Sequence, residues 1–65
     1  MKIIFDKKLY KITAIEKAIK QFEHLAEFNI DKRENVFVVS VANIDKDVAN
    51  IFQDEFCNFV LHLMK

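Results

Sequence analysis

The spacing of apolar residues changes along the chain, and each spacing predicts a type of secondary structure. Residues 2–5, KIIF, form a short apolar run that predicts a strand. Further on, apolar residues recur three and four positions apart, which is typical of a helix with one buried face. These positions are Ile15, Ala18, Ile19, Phe22, Leu25 and Ala26. We therefore predict a helix at residues 14–26, with Thr13 as N-cap and Glu16 completing a capping box.

The period of the pattern then shortens to two residues. Phe28 and Ile30 alternate with polar neighbours and predict a short strand, which the polar residues 31–35, DKREN, follow as a turn. Residues 36–42, VFVVSVA, give the strongest strand signal, because they are mostly β-branched or aromatic. Two strands joined by a turn of about four or five residues are expected to form a β-hairpin.

The last third of the chain predicts a second helix that continues to Lys65. Asn43 or Asp45 can cap this helix, and the charges of Asp45 and Asp47 would complement the positive end of its dipole. At about 100° of rotation per residue, one arc of the helix is apolar and the opposite arc is polar. The apolar arc contains Val48, Ala49, Phe52, Phe56, Phe59, Val60 and Leu63. The polar arc contains Asp54, Glu55, Asn58, His62 and Lys65.

The order of elements is therefore β-α-β-β-α, and we predict an α+β fold in which residues 1–65 form a single domain. Both helices should cover one face of a three-stranded sheet, because small domains pack as two layers around one core. The third strand is the most apolar, so we place it at the centre. The predicted order is then 2-3-1, with both strand pairs antiparallel.

Composition and charge narrow the range of functions. The chain has 65 residues, is 52% hydrophobic, and contains one cysteine, no glycine and no proline. A disulfide within the chain is excluded, so a core this small depends on packing or on association. A net charge of zero argues against nucleic acid as a partner. No run approaches the roughly 18 apolar residues that a membrane helix needs. With one free thiol and no export signal, we expect a cytoplasmic protein.

The residues that could perform chemistry are scattered. Cys57 and His62 lie about 140° apart on the predicted helix, so the histidine cannot activate the thiol as a base. One cysteine and two separated histidines, His24 and His62, do not match the ligand spacing of a zinc site. Glycine loops that hold phosphate groups are absent. We therefore expect no catalytic residues, no metal and no cofactor, and we predict that the protein is not an enzyme.

Two sets of apolar residues exceed what a two-layer core needs. Val36 and Val38 point to the sheet face opposite the predicted core, which the two helices would leave uncovered. On the second helix, Cys57, Leu61 and Met64 form a stripe beside the apolar arc. Exposed apolar patches typically mark interaction sites. These five residues are therefore the predicted interface, either with a peptide or protein partner or with a second copy of the chain.

Three segments resemble one family of small proteins. LYKITAIEKAIKQF (residues 9–22), the FNID strand (residues 28–31) and the closing EFCNFVLHLMK (residues 55–65) are similar to HxsD-like proteins of His-Xaa-Ser peptide-maturation systems. The similar positions are Leu9, Tyr10, Ala14, Ile15, Lys17, Ala18, Phe22, Ile30, Asp31, Glu55, Phe56, Asn58, Val60 and Leu61. The resemblance implies an accessory protein encoded beside radical SAM enzymes, which binds a precursor peptide, the maturase or both. It carries over no catalytic residues.

The sequence thus predicts a small non-catalytic binding module for a peptide or protein partner. A homodimeric structural domain without a peptide ligand is the alternative. Both interpretations depend on surplus apolar surface, and the sequence alone does not separate them.

Overall fold

The computed structural model describes residues 1–65 and contains five elements in the predicted order. They are β1 (Lys2–Asp6), α1 (Ile12–Phe22), β2 (Glu27–Lys32), β3 (Val36–Ala42) and α2 (Phe52–Leu63). The chain is an α+β domain with β-α-β-β-α topology, which confirms the fold class predicted from the sequence.

The three strands form one antiparallel sheet in which β3 lies between the two shorter strands. In the pairing register, Val39 of β3 lies opposite Ile3 of β1 and opposite Ile30 of β2. One position along, Val38 lies opposite Ile4 and Asp31. The most apolar strand is therefore central, as predicted. Only a central strand has both of its edges covered by neighbouring strands.

The core lies between one face of the sheet and the two helices. Its buried side chains are Ile3, Phe5, Ala14, Ile15, Ala18, Ala26, Phe37, Val39, Val41, Phe52, Phe56 and Val60. Every buried strand residue belongs to the same alternating set, so both helices cover the same face of the sheet. No polar or charged residue is buried. Hydrophobic burial therefore supplies most of the favourable free energy of this small fold.

Aromatic rings join the helices to the sheet. The ring of Phe22, at the end of α1, meets those of Phe52 and Phe56 edge-on at centroid distances of 5.8 and 5.4 Å. Phe28 of β2 stacks on Phe56 at 5.3 Å. At the other end of the core, Tyr10 packs edge-on against Phe5 at 4.9 Å. Tyr10 therefore closes that end of the core.

Helix α1 begins and ends earlier than the apolar pattern predicted. Its N-cap is Lys11 and no side chain caps it, so the predicted capping box of Thr13 and Glu16 is wrong. The helix ends at Phe22 rather than at residue 26, and residues 23–25 form a turn. Ala26 is still buried, because the turn returns it to the core on the way into β2.

Helix α2 begins at Phe52, well after the predicted caps Asn43 and Asp45. Residues 46–51 form successive turns instead, in which Val48 N–H donates to the Asp45 carbonyl and Ile51 N–H to the Val48 carbonyl. The Asp45 side chain accepts a hydrogen bond from Asp47 N–H at 2.9 Å, so it stabilises a turn and does not cap the helix. The strand prediction after α1 was too short, because β2 continues to Lys32.

Candidate binding surfaces

The sheet face without helices, here called the open face, carries a narrow apolar patch. It presents Lys2, Ile4, Asp6, Glu27, Asn29, Asp31, Val36, Val38, Ser40 and Ala42. Val36 and Val38 are half-buried on this face, as the alternation in β3 predicted. Charged residues flank them at Asp6 and Asp31, and Asp31 is held by Arg33 in an ion pair of 2.8 Å. Charges on both edge strands limit non-specific pairing with other sheets.

Ile4 is the most exposed member of this patch, and it was not among the predicted interface residues. It lies directly opposite Val38 and exposes 66% of its surface. Strand alternation alone could have identified it, because Ile3 and Phe5 point into the core and so direct Ile4 to the other face. Ile4, Val36 and Val38 together form the apolar part of the open face.

The second predicted surface, the stripe of Cys57, Leu61 and Met64, is more buried than a free docking face. Cys57 and Met64 pack against the core, and Leu61 alone is exposed, at 49%. The Met64 sulfur also accepts a hydrogen bond from Lys11 N–H at 3.4 Å. Met64 therefore fixes the end of α2 to the start of α1, and Leu61 remains the part of the stripe that a partner can reach.

The two predicted surfaces lie on different layers of the domain. The open face is the outer surface of the sheet, whereas the stripe lies on α2 in the helical layer. On α2, Phe59 and Leu63 line a cleft with Lys17, Lys20 and Gln21 of α1, and helical rotation places Cys57 and Leu61 on another side of α2. The structure therefore brings together Val36 with Val38, and Cys57 with Leu61 and Met64, but keeps these two groups apart.

The thiol of Cys57 lacks the surroundings of a reactive nucleophile. Burial raises its pKa above the ordinary value, and the nearby charge of Asp54 raises the pKa further. Both effects reduce the thiolate fraction, which is the nucleophilic form. His62 is exposed on the polar side of α2 and lies about 140° around the helix from Cys57. The geometry gives this cysteine a packing role.

A third surface, which sequence reasoning missed, lies between α1 and the outer edge of β2. This β2 groove is open and has a volume of about 600 Å³. It is lined by Thr13, Glu16, Lys17, Ile19, Lys20, Glu23 and Ile30. Its wall and floor come from separate elements whose side chains meet only in the folded chain. The periodic pattern counted Ile19 and Ile30 as core, and both are in fact half-buried at its margin.

No group of three or more His, Cys, Asp or Glu side chains is placed to hold a metal ion. Neither helix has the length and apolar character that crossing a membrane requires. The chemical features of the surface are therefore main-chain edges, small apolar patches and scattered charges.

No protein-family model matches the chain, and no curated protein or solved structure matches it either.

Proposed function

We propose that this chain is a small, non-catalytic binding module that takes a peptide or protein partner. The observation that carries the proposal is the architecture of the sheet, in which three strands leave two edges open to solvent. An open edge presents main-chain N–H and C=O groups that an extended segment can pair with as an added strand. The apolar patches beside the sheet would add contact area to such pairing.

Three further features support a binding role over catalysis. Every buried side chain is apolar, so the interior holds no polar group poised for chemistry. The one thiol has a raised pKa, which lowers the fraction of reactive thiolate at neutral pH. The exposed residues Ile4 and Leu61 have no structural role in the core and remain free for contact.

The resemblance to HxsD-like proteins suggests which partner to test first. We propose a precursor peptide or a radical SAM maturase of a modified-peptide pathway, acting in the cytoplasm. Genes for such a peptide and enzyme next to the gene for this chain would support this identification. A gene neighbourhood without either would remove the pathway from the proposal and leave the binding module.

The binding proposal is tested by titrating ¹⁵N-labelled chain with the short peptides encoded next to its gene. We expect amide shifts concentrated on β1, β2 or the residues that flank them. A scrambled version of the same peptide is the control for non-specific contact. Absence of shifts at every edge and surface patch, at peptide concentrations up to about 1 mM, where binding would be worth only about 4 kcal/mol, would contradict the proposal.

A second candidate function is a homodimeric structural domain. The observation that favours it is the exposed side chain of Ile4 next to Val36 and Val38, on a face that no helix covers. A second copy could cover this patch by packing sheet against sheet. This alternative predicts association without any peptide, which separates it from the first candidate.

A further inference from the structure

The two edges of the sheet differ in which residues direct main-chain groups outward. The N–H of Arg33 donates to the Val36 carbonyl at 2.9 Å, which fixes the phase of the β2–β3 ladder. In an antiparallel ladder, residues alternate between bonding to the neighbouring strand and pointing away from it. Phe28, Ile30 and Lys32 therefore direct their N–H and C=O groups to the free edge of β2. None of these groups is used in a turn or loop hydrogen bond.

The β1 edge offers less to an added strand. The outward main-chain groups there belong to Lys2, Ile4 and Asp6, because Met1 and Val41 exchange hydrogen bonds on the inner side. The Asp6 carbonyl already accepts from the N–H groups of the two turn residues at positions 9 and 10. The side chains of these outward residues point to the open face, where no helix forms a wall beside the edge.

At the β2 edge, by contrast, the outward residues have side chains on the helical side. A residue paired with Ile30 would place its own side chain on that same side, since paired residues share a face. That side chain would enter the β2 groove between Ile30 and Ile19. One extended segment could then form main-chain hydrogen bonds with β2 and place a side chain in the groove at the same time. In strand addition, the hydrogen bonds give affinity and the pocket gives specificity.

We infer that the β2 groove is the peptide site, and that its ligand is an extended segment added antiparallel to β2 as a fourth strand. This assignment rests on the proposed function and specifies where and how binding occurs. An apolar residue of the segment pairs with Ile30. Its two neighbours face the open side, next to Asn29 and Asp31, and are therefore polar.

Charge in the groove defines one further position of the ligand. Glu23 lines the groove and also contacts the cavity beside Ala26 and Glu27, so its carboxylate lies at the end where β2 begins. The only ion pair in the protein is that of Arg33 with Asp31, so Glu23 is free to pair with a ligand. In an antiparallel segment, the residues near the start of β2 follow the apolar residue in sequence. A basic residue two positions after that apolar residue would therefore lie near the carboxylate of Glu23.

The test uses a capped seven-residue peptide with a central valine, a lysine two positions C-terminal to it, and threonine elsewhere. Titrated into ¹⁵N-labelled chain, it should shift the amides of Phe28, Ile30 and Lys32 and leave those of Lys2 and Ile4 in place. N-methylation of the central valine should weaken binding about tenfold or more, because it removes a main-chain donor. N-methylation of the next residue, whose N–H points away, is the matched control and should have little effect.

A charge exchange tests the orientation of the peptide. Glu23→Lys should weaken binding of the lysine peptide by about two- to fivefold, as for an exposed ion pair. A peptide with glutamate in place of that lysine should recover the loss with this variant. Glu23 is exposed, so the substitution leaves the core intact, and Glu55→Lys, the same charge change on the exposed side of α2 and outside the groove, is the matched control.

The outcomes distinguish the site from the function. Shifts at β2 with sensitivity to the central N-methyl group support the inference. Shifts at β1 or the open face overturn it and leave the binding module in place. Lack of binding by the designed peptide also overturns it, while the titration with peptides from neighbouring genes judges the proposed function separately.

Discussion

Asn43 is the residue at which the chain leaves the sheet, and it alone has a positive φ, of 52°. A Cβ is unfavourable in this left-handed region, and asparagine tolerates it better than most other residues. The Asn43 side chain also donates a hydrogen bond to the Glu27 carboxylate at 2.9 Å, across the β2–β3 pair. The chain contains no glycine, and Asn43 adopts the left-handed conformation that glycine commonly adopts in other proteins.

Substitution of Asn43 should therefore reveal a backbone effect. Asn43→Ala is expected to lower the free energy of unfolding by about 1 kcal/mol, because alanine is disfavoured at this φ. Asn43→Gly loses the same exposed hydrogen bond but adopts the φ freely, so it should be close to neutral. Urea unfolding measures both. Equal losses in the two variants would assign the effect to the hydrogen bond with Glu27.

The thiol of Cys57 gives a second prediction at the scale of one residue. Because its pKa is raised in the folded chain, the folded state retains a proton that the unfolded chain loses first. The free energy of unfolding should therefore be constant below the ordinary thiol pKa and fall as pH rises from there to the raised pKa. Cys57→Ala should lack this alkaline component when unfolding is followed as a function of pH.

Alkylation provides a direct readout of the same shift. At mildly alkaline pH, iodoacetamide should react with native Cys57 more slowly than with the urea-unfolded chain, because less thiolate is present and the side chain is half-buried. Native labelling as fast as in the unfolded control would show an activated thiol and would reopen a catalytic interpretation.

At the scale of elements, the sequence identified which residues are buried better than where the helices begin and end. Leu25, Ala26 and Val48 continue the apolar periods of the two helices, and all three do contact the core. They reach it from turns, however, because a turn can return a side chain to the core as well as a helix can. The spacing of apolar residues therefore predicts which residues face the core. It does not show whether the backbone between them is a helix or a turn.

Strand alternation was more informative, because two faces are the only choices that a strand has. It placed Val36 and Val38 on the open face correctly, and applied to β1 it would have found Ile4. The β2 groove could not be predicted in this way. The groove exists because α1 lies beside the unpaired edge of β2. This packing brings Ile19 and Ile30 to the same groove, and no local sequence pattern shows that two such distant residues meet.

The N-terminus of α1 lacks a stabilising cap. Its N-cap, Lys11, provides no side-chain acceptor and places a positive charge at the positive end of the helix dipole. Lys11→Asp should stabilise the fold by about 1 kcal/mol, which in a domain of this size raises Tm by about 4–8 °C. Calorimetry with Lys11→Ala as control separates capping from charge removal. An equal gain from alanine would show that the charge alone matters.

At the scale of the whole molecule, the accessible surface limits what the open face can do alone. The chain exposes 4773 Å², and a standard interface would bury about 800 Å² per partner, roughly a sixth of that surface. The apolar part of the open face consists of Ile4, Val36 and Val38, inside a rim of charged residues. A sheet-to-sheet dimer would have to bury much of this rim, and unpaired buried charges cost more than the patch returns.

We therefore expect the chain to sediment as a monomer at concentrations of about 100 µM, where an interface weaker than about 5–6 kcal/mol stays dissociated. If it sediments as a dimer instead, three variants locate the contact. Val38→Asp or the more exposed Ile4→Asp should dissociate a dimer formed through the open face, and Leu61→Asp should dissociate one formed through α2. Circular dichroism of each variant controls for unfolding. If sedimentation detects a dimer and Ile4→Asp abolishes it, the homodimeric alternative is established, because no peptide is present in that experiment.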